Sequence, residues 1–296
     1  DELGTVVEKD YTPYHIDQVL ALKLVNRDAI AQADLKIVVD AVNSVGGVVI
    51  PALLRALGVK EIIELNCEPT GHFAHNPEPI PENLTQIAAK MKESRADLGI
   101  VVDPDVDRLA LISENGEMFG EEYTLVAVAD YVLKHTPGNT VSNLSSSRAL
   151  KDVTEAYGQQ YHAAAVGEGN GGVIYPESHY GRDALVGVGL FLSHYVAQSK
   201  KMTELKSTYP QYFISKNKMT LSPDMDVDKI LEGLKERYAT EKVTDIDGVK
   251  IDFAQGWVHL RKSNTEPIIR IYSEAKDEAA ANQLAEEVIA AAKSTL

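Results

Sequence analysis

Leu98-Gly99-Ile100-Val101-Val102-Asp103-Pro104-Asp105-Val106-Asp107-Arg108-Leu109-Ala110-Leu111-Ile112 joins two apolar runs through a loop with three carboxylates at alternate positions. Residues 98–102 read as a strand buried on both faces, because a parallel strand covered on each side is continuously apolar. A second apolar strand comes immediately after the loop. Between them Asp103, Asp105 and Asp107 are crowded together and repel each other. The arrangement becomes favourable when a hard divalent cation accepts their oxygens. Three carboxylate ligands leave positions open on an octahedral Mg²⁺ for a phosphate oxygen. Arg108, beside them, is suited to pair with a phosphate in bidentate fashion.

Upstream, residues 35–40 (LKIVVD) form another buried strand, and Asn43-Ser44-Val45-Gly46-Gly47 turns into a helix over 48–57 with Gly58 at its C′ position. A strand at 60–65 and a helix from Pro81 to about Arg95 complete a βαβ domain. The rhythm repeats downstream. A helix is expected at 121–134 and a strand at 140–144, then a helix capped by Ser145–Ser147, a strand at 160–166 and an apolar helix at 184–199. After about Tyr212 the texture changes to strands at 213–221, 249–253, 257–261 and 268–272 with helices at 226–238 and 277–293; Ala254-Gln255-Gly256 marks a hairpin. The expected architecture is α/β: a linker at 1–14, two doubly wound βαβ domains at 15–118 and 119–212, and a small α+β domain at 213–296.

The 296 residues carry 29 basic and 44 acidic side chains, a net charge of −15, which disfavours broad binding to nucleic acid. Cys67 is the only cysteine, so there is neither an intrachain disulfide nor a thiolate zinc site, and it reads as a plug at a strand end. No leader pattern and no apolar run of membrane-spanning length is found, so a cytoplasmic location is expected. The start at Asp1 without Met suggests a trimmed chain.

Two further loops carry chemistry. Val166-Gly167-Glu168-Gly169-Asn170-Gly171-Gly172 contains the Gly-x-Gly-x-x-Gly spacing of dinucleotide sites, but Pro176 comes soon after and no helix opens at the last glycine. The glycines instead bring backbone close to a ligand, with Glu168 and Asn170 suited to vicinal sugar hydroxyls. Leu260-Arg261-Lys262-Ser263-Asn264-Thr265-Glu266-Pro267-Ile268-Ile269-Arg270 concentrates guanidinium, hydroxyl and amide donors between two strands, which suits a phosphate dianion. Gly71-His72-Phe73-Ala74-His75 suggests zinc by its histidines, but the proline-broken loop offers no further ligands and reads as structural.

Three other readings compete for the acidic loop. In an EF-hand the aspartates would be positions 1, 3 and 5 with Glu114 at 12, but Arg108 stands where glycine is required. The strand-then-Asp-x-Asp form resembles the nucleophile motif of haloacid-dehalogenase phosphatases, yet Arg108-Leu109 supplies no hydroxyl residue after it. A solvated acidic turn leaves unexplained why Asp and Arg are packed between buried strands.

Asp103-Pro104-Asp105-Val106-Asp107-Arg108 resembles the metal loop of the α-D-phosphohexomutases, the phosphomannomutase, phosphoglucomutase and phosphoglucosamine mutase superfamily. The resemblance continues in Gly167-Glu168, in Gly181-Arg182-Asp183 and, most specifically, in Arg261-x-Ser263-Asn264-Thr265-Glu266-Pro267, which is similar to the family's phosphate loop. It implies that Asp103, Asp105 and Asp107 hold Mg²⁺ and that Arg108 lies near the transferring phosphoryl group. It further implies that Glu168, and more weakly Asn170, contact the sugar, and that Arg261, Ser263, Asn264, Thr265 and Arg270 grip the idle phosphate. The implied reaction interconverts hexose 1- and 6-phosphates through a phosphoserine and a glucose 1,6-bisphosphate-type intermediate. From about Tyr14 the chain is similar to the family's second, third and fourth domains; the first, bearing the Ser-His-Asn-Pro phosphoserine loop, has no counterpart, so a fragment without mutase turnover is expected. Ala165-Val166-Gly167-Glu168 also skips the family's strand and helix with its substrate lysine. The alternative of a different class is a non-catalytic sugar-phosphate-binding protein.

Overall fold

The computed structural model describes residues 4–120, 122–164, 171–222, 225–263 and 266–294. In chain order the helices are α1 (Thr12–Ala21), α2 (Arg27–Gln32), α3 (Gly46–Ala56), α4 (Thr85–Ser94), α5 (Tyr123–His135), α6 (Arg148–Ala156), α7 (Ala184–Gln198), α8 (Met202–Ser207), α9 (Val227–Arg237) and α10 (Glu278–Lys293). The strands are β1 (Lys36–Asp40), β2 (Glu61–Leu65), β3 (Leu98–Val102), β4 (Leu109–Ser113), β5 (Thr140–Asn143) and β6 (Tyr161–Ala164), then β7 (Phe213–Thr220), β8 (Lys242–Thr244), β9 (Val249–Asp252), β10 (Gly256–Lys262) and β11 (Ile268–Ala275). Two compact units emerge, 1–137 with 170–208 and 138–169 with 209–296.

The first unit is built on the sheet β2-β1-β3-β4, with β1 parallel to β2 and β3 and with β4 antiparallel to β3. Every residue of β3 and β4 is buried, as the unbroken apolar runs require. Gly99 lets α4 lie close: a Cβ there would meet Ile112 at 2.9 Å, Ile87 at 3.0 Å and Met91 at 3.2 Å. Ile87, Met91, Val101, Ala110 and Ile112 close that side of the core. On the other side α7 is apolar around most of its circumference and packs against α1, α2 and α5, with Phe191 edge-on to Phe119 at 5.5 Å. Each fully buried Leu, Ile or Phe here contributes about 1.5–3 kcal/mol relative to exposure.

The second unit holds the antiparallel sheet β7-β11-β10-β9-β8 and the parallel pair β5-β6 joined through α6. Val258, Leu260, Ile269 and Ile271 face Ile230, Leu234, Leu284 and Val288 of α9 and α10 in one apolar core. The helices' amphipathic spacing and the strands' alternation both put their apolar residues into this layer.

The mixed α/β class followed by an α+β sheet agrees with expectation. Several details differ. α1 starts at Thr12, inside the stretch read as linker, because Pro13 suits a first helical turn and Ile16 and Val19 are buried. The helix expected over 81–95 is a 3₁₀ turn at Pro81–Asn83 followed by α4. α2, α8 and β8 are too short to announce themselves by period. Of the two compact units, the first holds α5, α7 and α8 and the second β5-α6-β6.

Candidate functional site

The acidic loop connects directly adjacent strands, since Val102 of β3 is the register partner of Leu109 of β4. Asp103, at the end of a buried strand, is only 7% exposed. Its Oδ1 accepts the backbone N–H groups of Asp107 (3.1 Å) and Arg108 (3.0 Å), which folds the loop back on itself. Val106 takes a left-handed φ of 60°, uncommon for a β-branched residue and costing on the order of 1–3 kcal/mol. Three hydrogen bonds hold this shape. Val106 N donates to Asp103 O (3.2 Å), Ala184 N at the start of α7 to Val106 O (3.1 Å), and Ser44 Oγ to Pro104 O (2.7 Å).

The result is convergence: Asp103, Asp105 and Asp107 each offer a carboxylate oxygen within 4.8 Å of the others. Burial, with Asp107 and Asp105 adding repulsion, pushes the Asp103 carboxyl up to about 6, against the Arg108 N–H that favours its charged form. Arg108 Nε lies 3.6 Å from Asp103 Oδ2, and the Arg182 guanidinium pairs with Asp107 Oδ2. Asp107 Oδ1 is buried and has no hydrogen-bond partner among the described residues. An unsatisfied carboxylate oxygen, a carboxyl that resists ionisation and an all-oxygen donor set fit a hard divalent cation such as Mg²⁺. The EF-hand reading fails here, because strands flank the loop and Glu114 bonds Thr203 instead.

Glu168 and Asn170, the expected sugar contacts, lie outside the described residues, as does the Val166-Gly167 junction. The next two residues are anchored beside the acidic loop. Gly171 has φ +77°, where a Cβ would meet Leu109 O at 2.5 Å; its carbonyl accepts Leu109 N (3.0 Å), and Gly172 bridges Arg108. No helix opens at Gly172, as expected against a dinucleotide site. Asp183 then caps α7 through Val186 N (3.1 Å) while its other oxygen receives His15 Nε2 and His179 Nε2, each at 2.8 Å. Sequence reasoning missed the parts played by Arg182, Asp183 and Ser44. Arg182 stands 75 residues from Asp107, so no local spacing could connect them.

In the second unit Arg261 and Arg270 are register partners across β10 and β11, and Arg270 is in turn the partner of Lys218 on β7. Three cations in a row across one sheet face repel each other. Asp247, 3.2 Å from Arg261 Nη1, offsets one of them; a phosphate dianion would offset more. Ser263 is buried, donates its N–H to Ile268 O (3.0 Å) and accepts Glu266 N at its hydroxyl (3.3 Å). Asn264 and Thr265 lie outside the described residues. Lys218 was not anticipated, since only the strand register reveals it.

The remaining candidates are structural. His75 is committed to buried Asp40 (3.2 Å) and to Asn76 O (2.8 Å), not to a metal. Cys67 donates to Leu65 O (3.3 Å), and burial pushes its thiol up to about 12, so it is inert. Ser147 caps α6 through Ala149 N (3.1 Å), as a helix start beginning Ser-Ser-Ser suggests.

Comparison with known proteins returns two family profiles: "Phosphoglucomutase/phosphomannomutase, alpha/beta/alpha domain II" over residues 13–116 and "Phosphoglucomutase/phosphomannomutase, C-terminal domain" over residues 216–291. The chain is 35% identical to a phosphoglucomutase/phosphomannomutase of Thermococcus kodakarensis, over 97% of this chain and 66% of that protein. It is 31% identical to a probable phosphoglucosamine mutase of Methanopyrus kandleri, over 98% of this chain and 67% of that one. A crystal structure of a phosphoglucomutase/phosphomannomutase family protein from Burkholderia thailandensis superposes with TM-score 0.83 at 25% identity, over 97% of this chain and 65% of its own. The chain thus spans about two thirds of the length of these relatives.

Proposed function

Because this chain belongs to the phosphoglucomutase/phosphomannomutase family, we propose that it is the metal-, sugar- and phosphate-binding part of a phosphohexomutase that interconverts hexose 1- and 6-phosphates. The boundaries proposed for the family's second, third and fourth domains are 15–118, 119–212 and 213–296. The observation that carries the reading is the aspartate trio with its unpartnered buried Asp107 oxygen beside Arg108.

Asp103, Asp105 and Asp107 would hold Mg²⁺, which when bound neutralises charge developing on a transferring phosphoryl group. Arg108 pairs with the oxygens of that group and fixes its direction. Arg182 keeps Asp107 aimed, and the Asp103 cap on the Asp107 and Arg108 N–H groups keeps the loop from collapsing outward. Arg261, Ser263, Asn264, Thr265 and Arg270, with Lys218 in the same row, hold the phosphate not in transfer. Glu168 and Asn170 bridge sugar hydroxyls. The phosphorylated serine and the bisphosphate intermediate belong to the whole mutase. No Ser-His-Asn-Pro loop occurs within these 296 residues, so this polypeptide alone binds sugar phosphate without isomerising it. Among the described residues no helix is long and apolar enough to cross a membrane, and a cytoplasmic site of action is part of the proposal.

The test is a set of parallel coupled assays of the gene's full product with glucose, mannose and glucosamine phosphates, alongside the 296-residue chain. Mg²⁺-dependent turnover by the full product, lost on Asp105→Asn and with raised KM on Arg261→Gln, is expected. Binding without turnover by a full product that contains the serine loop would favour the non-catalytic binder. Turnover by the 296 residues alone, in enzyme-free preparations, would refute the fragment reading.

A further inference from the structure

The second unit contains a cavity of about 260 Å³ lined by none of the residues assigned above. One wall is β8 and β9, where Lys242 pairs in register with Asp252 and Thr244 with Lys250, so all four share one face. The opposite wall is the first turn of α6, bringing Arg148 and Lys151. Hydrogen bonds fix the walls to each other. Lys250 Nζ donates to Leu144 O (2.7 Å), Arg148 Nη2 donates to Phe253 O and Gly256 O (2.9 Å each), and Arg148 N donates to Glu274 Oε1 (2.9 Å).

The charge of this cavity runs against that of the chain. Four cations line it against two carboxylates, in a protein of net charge −15. Arg148 pairs with Asp252 at 3.3 Å and Lys151 loosely with Glu155 at 3.8 Å. Lys242 and Lys250 have no carboxylate within ion-pair distance among the described residues. Lys250 is 6% exposed; burial, with Arg148 and Lys242 adding repulsion, lowers its ammonium to about 8 against the pull of Asp252 and Glu274. The first turn of α6 adds nothing to the imbalance, because its backbone N–H groups are already taken: Arg148 N by the Glu274 carboxylate, Ala149 N by Ser147 Oγ (3.1 Å) and Leu150 N by Ser147 O (3.3 Å). The excess of cationic side chains lining a pre-built hollow is what suits an oxyanion.

We propose that this cavity is a second anion site, taking a small phosphate dianion, either inorganic phosphate or the phosphate of a sugar phosphate. Lys151 and Lys242 reach it from the solvent side, and Lys250 and Thr244 meet it inside. The proposal does not depend on the mutase reading, because it involves neither the aspartate trio nor the Arg261–Arg270–Lys218 row.

The experiment is calorimetric titration of the 296-residue chain with inorganic phosphate and, separately, with glucose 6-phosphate, together with fluorescence of Trp257. That residue is the single tryptophan, and its ring lies 4.4 Å from Lys250 Nζ. Two double variants divide the sites: Lys151→Gln with Lys242→Gln for this cavity, and Arg261→Gln with Arg270→Gln for the other. Lys242 is exposed and the Lys151 side chain is 44% exposed, so their replacement leaves the fold intact, which circular dichroism checks. One phosphate-binding step should survive the arginine pair and weaken about tenfold or more in the lysine pair, as expected on losing two charge-assisted donors. Equal affinity for both ligands identifies the free ion as sufficient; tighter binding of the sugar ester identifies the ester as the ligand. A phosphate step that disappears with the arginine pair, or that persists unchanged in the lysine pair, overturns the proposal. So does the absence of any binding to the unsubstituted chain at millimolar phosphate.

Discussion

Replacing Asp103 by Asn separates what the acidic loop does for binding from what it does to stability. The carboxyl sits at about 6 in the folded protein, against an ordinary 3.8. At about 1.4 kcal/mol per pH unit, its ionised form therefore costs the metal-free fold at most about 3 kcal/mol. The sign comes from the direction of the shift. The folded state holds this proton more tightly than the unfolded chain, so the cost is absent below about pH 4, grows between about pH 4 and 6, and is complete at pH 8. An Asn carbonyl oxygen still accepts the Asp107 and Arg108 N–H groups, so the turn survives. The 3.6 Å contact to Arg108, worth up to about 1 kcal/mol, is lost. In chelator at pH 8, Asp103→Asn should thus stabilise the chain by about 1–2 kcal/mol, or roughly 2–6 °C in Tm, and the gain should vanish near pH 4. Saturating Mg²⁺ should reverse the order. The unsubstituted chain gains about 2.7 kcal/mol at a hundredfold excess over Kd, while the variant gains little. Scanning calorimetry at pH 4 and pH 8, with and without Mg²⁺, reads all four values. A variant less stable than the parent in chelator at pH 8, or equally stabilised by Mg²⁺, would refute the account of the loop as a repulsive cluster awaiting a cation.

Asp183→Ala removes the cap of α7 and the shared acceptor of His15 and His179; urea titration should show a loss of about 1–2 kcal/mol, with weaker Mg²⁺ binding because Ala184 N steadies Val106. Phe191→Ala empties a fully buried position against Phe119 and should cost about 3–5 kcal/mol by the same method. Lys250 has a folded value near 8, below its unfolded 10.5, so its buried charge penalises the fold below about pH 8 and the penalty fades as pH rises to about 10.5. The stability difference between the parent and Lys250→Met should therefore change by up to about 3 kcal/mol across that window; a difference flat with pH would mean that the amine is well solvated.

Much of this protein is legible in its sequence. Continuous apolar runs announce β1, β3 and β4, because strands covered on both faces exclude polar residues. The loop at 103–108 is legible because alternate carboxylates between buried strands have few physical explanations. The Ser263 turn stands out because its donors are contiguous in sequence. Short elements such as α2, α8 and β8 span too few residues for a period to show, and their existence depends on the surfaces that cover them.

The order of amino acids therefore carries the set of local devices: which segments are buried, where chains turn, and which residues bring carboxylates or guanidinium groups. Folding in three dimensions selects which devices meet. Arg182 reaches Asp107 across 75 residues, His15 and His179 converge on Asp183, and Lys218 joins Arg261 and Arg270 only through strand register. It also joins 170–208 to 1–137 in one compact unit and 138–169 to 209–296 in the other. The physical reason is that periodicity and turn chemistry act over a few residues, whereas side-chain pairing energy is set by distance in space, which the chain fixes only once its apolar faces have found each other.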